Sequence, residues 1–194
     1  EIGILPFIIA YSNNKASSSD RRLTKYQLYS SNVKFVASKN DKEIFAKRYS
    51  KTAQSEQQNF GIPASVKLAQ AILESGADSD LAIRHKNFFG IKCKSQNYGE
   101  VDCQPHPNNP NRGNYCVYET AWMSWRAHSK FLQREYYKYI PIKCGDDALC
   151  WFTELQKSGY CPEPDYAAVL KRIYKEYNLA QYDLKRHIPL VAKS

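Results

Sequence analysis

Pro63-Ala64-Ser65-Val66-Lys67-Leu68-Ala69-Gln70-Ala71-Ile72-Leu73-Glu74-Ser75-Gly76 reads as a helix with both of its ends written in. Pro63 brings the fixed φ that suits a first helical turn, where its missing N–H costs nothing. Gly76 brings the left-handed residue that commonly closes a helix. Val66, Ala69, Ile72 and Leu73 recur at three- and four-residue spacing, which predicts one apolar, buried face. Glu74 is out of place. In the last turn a carboxylate meets the negative end of the helix dipole, which disfavours its ionised form. The apolar Ile72-Leu73 pair before it places it at the edge of the core, where desolvation raises a carboxyl pKa further. A carboxylic acid held protonated near neutral pH can protonate a leaving oxygen.

Downstream, Asn87-Phe88-Phe89-Gly90-Ile91-Lys92 sets two aromatic rings beside a glycine. Val117-Tyr118-Glu119-Thr120 leads into Ser124-Trp125-Arg126-Ala127-His128-Ser129-Lys130-Phe131-Leu132. Ser158-Gly159-Tyr160-Cys161-Pro162-Glu163-Pro164-Asp165-Tyr166-Ala167 then runs on toward Tyr177-Asn178-Leu179. Together with AQAILESG at 69–76, these motifs resemble, in order, the glucosaminidase family of peptidoglycan hydrolases, the endo-β-N-acetylglucosaminidase type found in flagellar and autolysin enzymes. The resemblance covers residues 42 to 183, roughly, and leaves residues 1–40 outside it.

The rest of the chain supplies the frame. Residues 1–40 read as an extension or linker. Within them Ile2–Ala10 are apolar but too few to span a bilayer, and residues 12–22 are rich in Ser, Asn, Lys and Arg. Asn40 or Asp41 caps a helix to about Asn59. Residues 75–84, with Asp78 and Asp80 as solvated loop acids, lead into a short helix. Residues 91–118 lose helical periodicity among prolines, glycines and asparagines and read as short strands joined by turns. Helix returns over Ala121–Tyr139, with Trp122, Trp125, His128, Phe131 and Leu132 on one face. Asp146 or Asp147 caps another helix to Lys157, and Pro164 opens a last one, Asp165–Tyr177, buried through Ala168, Val169, Ile173 and Tyr177. The expected fold is α+β, mainly helical: a lysozyme-like two-lobed domain over residues 41–185 with a small β-lobe, then a tail at 186–194.

Charge and cysteines narrow the setting. Twenty-eight Lys and Arg against nineteen Asp and Glu give +9, which favours an anionic partner such as the bacterial envelope. No basic run interleaved with aromatics and no nucleic-acid motif is present, so no nucleic acid is expected. The six cysteines, Cys93, Cys103, Cys116, Cys144, Cys150 and Cys161, form no C-x-x-C pair. They suggest disulfides and an oxidising compartment, hence a periplasmic or extracellular protein, with neither metal nor cofactor. Closeness in sequence favours Cys93–Cys103 and Cys144–Cys150, leaving Cys116–Cys161.

The resemblance implies cleavage of the β-1,4 bond after N-acetylglucosamine in peptidoglycan glycan strands, with Glu74 as proton donor. A second carboxylate from the β-lobe would be Glu100 or Asp102. Related enzymes often carry a glutamate further into this lobe, where this chain reads Cys103-Gln104-Pro105-His106. The alternative is assistance by the substrate's own 2-acetamido oxygen, steadied by a tyrosine of the closing segment, Tyr160 or Tyr166. Asn87, Phe88, Phe89 and Gly90 are expected to shape the cleft, Asn87 by bonding an acetamido group. His106 stands in the β-lobe, where it can meet substrate or lie exposed, and His128 reads as a satisfied core histidine. Muramidases and lytic transglycosylases, which also place a Glu-Ser at a helix end, are the nearest rivals, and a non-catalytic wall-binding domain is a rival of another class. An envelope or secretion-machine partner would be engaged through residues 1–40.

Overall fold

The computed structural model describes residues 39–76, 79–93 and 101–185. The expectations for residues 1–38, Asp78, the side chain of Asp80, Glu100 and the tail from 186 lie outside them.

The stretch from Pro63 to Gly76 is the central helix. α1 (Lys39–Phe60) leads to it through Gly61-Ile62-Pro63, and α2 runs Ala64–Ser75. Pro63 stands one residue outside, at the N-cap position, and Gly76 closes the helix in the left-handed region at φ 63°, its N–H bonded to the Ile72 carbonyl. The expectation of one buried face is too modest, because all twelve residues of α2 are buried, Lys67, Gln70 and Glu74 among them. α2 is packed by α1 and by the last third of the chain at once, so it has no solvent side. A helix hidden all round must satisfy its polar side chains internally, and the site described below grows from that requirement.

The free N–H groups that open α2 are bonded from elsewhere. Ser65 N–H and Ser65 Oγ donate to the two oxygens of Asp183, each at 2.7 Å. Gln57 Oε1 accepts from Ala64 N–H at 3.3 Å and from Leu184 N–H at 2.9 Å. A carboxylate at a helix N-terminus also complements the dipole.

α3 (Asp80–Arg84) is a single short turn of helix capped by Ser79 Oγ, which accepts from Ala82 N–H. β1 (Asp102–Pro105) and β2 (Asn114–Val117) form an antiparallel hairpin that pairs Cys103 with Cys116 and Gln104 with Tyr115, closed by a 3-10 turn over Pro110–Arg112. This is the expected β-lobe. The Cys93–Cys103 disulfide ties it to the preceding loop.

α4 (Ala121–Phe131) opens on Thr120, whose hydroxyl accepts from Met123 N–H. It ends eight residues before the expected Tyr139. Gln133 and Arg134 donate to carbonyls three residues back, the tightening that often ends a helix. Tyr137 can then turn inward against Phe131 and Tyr160, with centroids 5.5 and 5.9 Å away. Trp122, expected on the buried face, is 49% exposed and lies over the Arg126 guanidinium at 4.8 Å. α5 (Ile140–Cys144) and α6 (Ala148–Lys157) are joined by the Cys144–Cys150 disulfide, and Asp147 caps α6 through Leu149 and Cys150 N–H. α7 (Tyr166–Glu176) buries Ala167 and Leu170 beside Val169 and Ile173, while Ala168 faces outward. A 3-10 turn over Leu179–Tyr182 brings the chain back to the start of α2. Among the described residues no helix is long and apolar enough to cross a membrane.

The expected third pairing, Cys116–Cys161, is not formed. Both are buried and stand outside any disulfide. Cys116 sits in β2 opposite Cys103, with its Sγ 3.6 Å from Cys93 Sγ, whereas Cys161 follows α6 on the helical side.

Candidate active site

In α2, Lys67, Gln70 and Glu74 fall at positions i, i+3 and i+7, so they form one polar stripe down a helix that is otherwise apolar between Ser65 and Ser75 at its ends. All three are sealed from solvent, Glu74 being 2% exposed. The stripe faces Tyr160, in the loop after α6, and Tyr166, the first residue of α7.

Each member of the stripe meets its own partner. Gln70 Nε2 donates to Tyr166 Oη at 3.0 Å. Lys67 Nζ lies 2.9 Å from the Trp125 carbonyl, 3.0 Å from Ser129 Oγ and 2.8 Å from His128 Nδ1. The other ring nitrogen, His128 Nε2, is 2.8 Å from Tyr160 Oη. The imidazole is stacked on Phe89 at 3.9 Å with the planes 2° apart, and Lys67 Nζ also sits 4.5 Å from the Phe89 centroid. Tyr160 and Tyr166 stack on each other at 5.6 Å.

Glu74 is the acid whose charge reaches these phenols. Burial pushes Tyr160 well above the ordinary tyrosine value, and the Glu74 charge adds to the rise. Tyr166 is raised in the same way by burial, by Tyr160 and by Glu74. Tyr115 of β2 is raised by burial, lowered by Arg112 and raised by Glu74. Three phenols from the hairpin and the closing segment therefore feel the Glu74 charge and stay protonated at neutral pH. They are neutral groups able to donate or accept. On the cationic side, burial holds the Lys67 ammonium well below the usual lysine range, with Glu56 opposing and Arg126 adding to the shift. Burial and then Lys67 lower His128 well below the ordinary imidazole value.

Other expected site residues have different places. Asp102 is exposed, and its oxygens accept from Cys103 N–H at 2.8 Å and Gln104 Nε2 at 3.0 Å. Its charge registers on His85, not on the tyrosines around Glu74. Asn87 is fully buried, and its amide is engaged by the backbone. Nδ2 donates to the Ile91 and Cys116 carbonyls, and Oδ1 accepts from Ile91 N–H. Asn87 is thus the clasp between the loop and β2, with both amide hydrogens on backbone carbonyls. Gly90, at φ 64°, supplies the backbone reversal that lets Ile91 fold onto Asn87. Phe88 and Phe89 are both core: Phe88 packs on Phe45 and Tyr49, Phe89 on Trp125 and His128. Neither offers a face to a sugar. His106 is buried against Tyr115, ring edge to face at 5.3 Å.

The reading of the sequence missed Lys67, Gln70 and Tyr115. The first two had a legible signal, three polar residues at helical spacing inside an apolar helix. Tyr115 had none beyond its place in a short strand. Among the described residues no group of three or more His, Cys, Asp or Glu could hold a metal ion.

Residues 50–179 match the profile of the glucosaminidase family, described as mannosyl-glycoprotein endo-beta-N-acetylglucosaminidase. The chain is similar to Exo-glucosaminidase LytG of Bacillus subtilis (strain 168), 29% identical over 153 aligned positions, with 74% of this chain and 54% of that protein covered. It therefore spans about half the length of the curated relative it matches. A solved N-acetylmuramoyl-L-alanine amidase from Staphylococcus aureus is similar with a TM-score of 0.62 and 27% identity, covering 89% of this chain and 48% of that one. The glycoside hydrolase domain of FlgJ from Salmonella typhimurium shares the fold with a TM-score of 0.55 at 23% identity, over 72% of this chain and 90% of that one.

Proposed function

The chain belongs to the glucosaminidase family, and on that premise we propose that it hydrolyses the β-1,4 bond after N-acetylglucosamine in peptidoglycan, with Glu74 as the general acid. The observation that carries this reading is the burial of Glu74 at the end of α2, where its charge reaches Tyr115, Tyr160 and Tyr166. A buried carboxyl group at the end of a helix can act as the proton donor to a leaving oxygen.

In this mechanism Glu74 protonates the glycosidic oxygen as the bond to the anomeric carbon breaks. The oxygen of the substrate's 2-acetamido group forms the new bond to that carbon, and Tyr160 or Tyr166 holds the group in line by donating to its oxygen. The Glu74 carboxylate then takes a proton from water, whose oxygen opens the cyclic intermediate and releases a reducing N-acetylglucosamine end. This route calls on no second carboxylate, and Asp102 accepts from Cys103 N–H and Gln104 Nε2 in its own strand. The expected place of action is the bacterial envelope, which suits the +9 charge and the two disulfides. Any partner of residues 1–40 would act in addition to the glycan.

Digestion of purified peptidoglycan by wild type and Glu74→Gln tests the reading, with mass analysis of borohydride-reduced products. Fragments ending in reduced N-acetylglucosamine from wild type and almost none from the variant are expected. A muramic or anhydromuramic end would transfer the chain to the muramidases or transglycosylases. Binding without cleavage by either protein would make it a wall-binding module. The size of the first products separates interior cleavage from release of end units, the mode in the name of the Bacillus relative.

A further inference from the structure

Lys67, His128 and Tyr160 form a chain of contacts at 2.8 Å each, sealed in the core and ending at a phenol that the Glu74 charge reaches. The direction of its hydrogen bonds follows from counting protons. Ser129 Oγ donates to the Trp125 carbonyl at 3.1 Å, so toward Lys67 that hydroxyl can only accept. The Trp125 carbonyl accepts as well. Two Nζ–H groups are thereby assigned, and the third position on Nζ faces His128 Nδ1. An ammonium has a proton to put there and an amine has a lone pair. The first case leaves the His128 proton on Nε2, which donates to Tyr160 Oη. The second places it on Nδ1, and Nε2 must then accept from Tyr160.

We propose that Lys67 and His128 are positioning residues that set the direction of the Tyr160 hydroxyl. With Lys67 charged, the chain runs outward and Tyr160 donates toward Glu74 and the substrate. With Lys67 neutral, the chain runs inward and Tyr160 gives its proton to His128. The two arrangements differ by one proton, released to solvent when Lys67 becomes an amine. His128 exchanges its Nε2 proton for one on Nδ1, and the phenol rotates.

The substrate consequence rests on the function proposed above. An acetamido oxygen needs a donor, so the charged-Lys67 arrangement is the active one and activity falls as pH rises through the Lys67 titration. Burial moves that titration down from the ordinary lysine value. The charges acting on Lys67 are Glu56 of α1 and Arg126 of α4. The remaining packed elements present Tyr166 to Gln70 and Asp183 to Ser65, while Tyr160 feels Glu74, Tyr137 and Cys161.

The test starts with the full chain labelled with 15N-histidine, the His128 signals being identified by their loss in His128→Gln. At neutral pH the proton should be on Nε2 and Nδ1 should be bare. On raising the pH the proton should move to Nδ1, at the midpoint where kcat declines. Lys67→Met should lower kcat about tenfold with KM within about twofold, since it removes the driver of one hydrogen bond. It should also abolish the alkaline decline, and add nothing further in a Tyr160→Phe background. A proton on Nδ1 at neutral pH, or additive effects of the two substitutions, overturns the proposal. If Lys67→Met does not fold, the tautomer in wild type decides. An active Glu74→Gln would sink the proposed function and leave the tautomer measurement standing. An inactive Glu74→Gln beside a fully active Lys67→Met would sink the relay alone.

Discussion

The carboxylate of Asp183 holds Ser65 twice, at the backbone N–H and at the hydroxyl, across 118 residues of sequence. It acts as a cap for α2 supplied by the far end of the domain. Asp183→Ala should cost about 1–2 kcal/mol, the usual loss when a helix cap is removed. Asp183→Asn should cost less, because its oxygen can accept from the Ser65 N–H while its NH2 donates to Oγ. Urea unfolding of the two variants gives the comparison, and equal losses would mean that charge outweighs hydrogen bonding at this helix end.

Asn87 holds three backbone groups that have no water to turn to. Asn87→Ala should lower stability by about 2–4 kcal/mol, through loss of bonds to buried partners. Activity should fall in step with the melting temperature. A variant that melts like wild type and shows only a raised KM would restore the substrate contact that the sequence suggested.

What could be read in advance follows a physical line. Pro63, Gly76, Asp147 and the period of α2 act locally, and local rules found them. The hairpin and the pairs Cys93–Cys103 and Cys144–Cys150 were also legible, because they join residues close in sequence. The capping of α2 by Asp183 was not, since no local pattern links positions so far apart. Lys67 escaped because a lysine in a helix is normally read as solvent-facing. Only the packing of α2 on every side turns it inward. Asn87 and Phe89 were read as cleft residues because their motif resembles one in a family of enzymes, but a motif can persist for architecture as well as for chemistry.

Stability should respond to acid through His128. Its folded pKa is held well below the ordinary 6.5 by burial and by Lys67. Below that pH the unfolded chain takes up a proton that the folded chain refuses. The stabilisation is therefore complete above about 6.5 and is lost as pH falls, at up to about 1.4 kcal/mol per unit from this one group. Comparing urea midpoints of wild type and His128→Gln between neutral and mildly acidic pH isolates the effect, and the variant should show the flatter profile.

Glu56 is fully buried, and Arg126 reaches it at 2.9 Å while lying between the rings of Phe60 and Trp122. Arg126→Ala strands that carboxylate and should cost about 3–5 kcal/mol. Trp122→Ala, which removes only a half-exposed ring, should cost far less. Thermal melts of both variants make the check, and similar losses would put the energy in the stacking.

Cys93 has two sulfurs within reach, one bonded to it and one, Cys116, waiting at 3.6 Å directly across the ladder from Cys103. The hairpin therefore carries a form of redundancy. A lesion at Cys103 leaves the anchor a second mooring on the neighbouring strand, so Cys103→Ser should still yield a cross-linked β-lobe, now through Cys93–Cys116. Among the three sulfurs, Cys93 is the one that cannot be replaced.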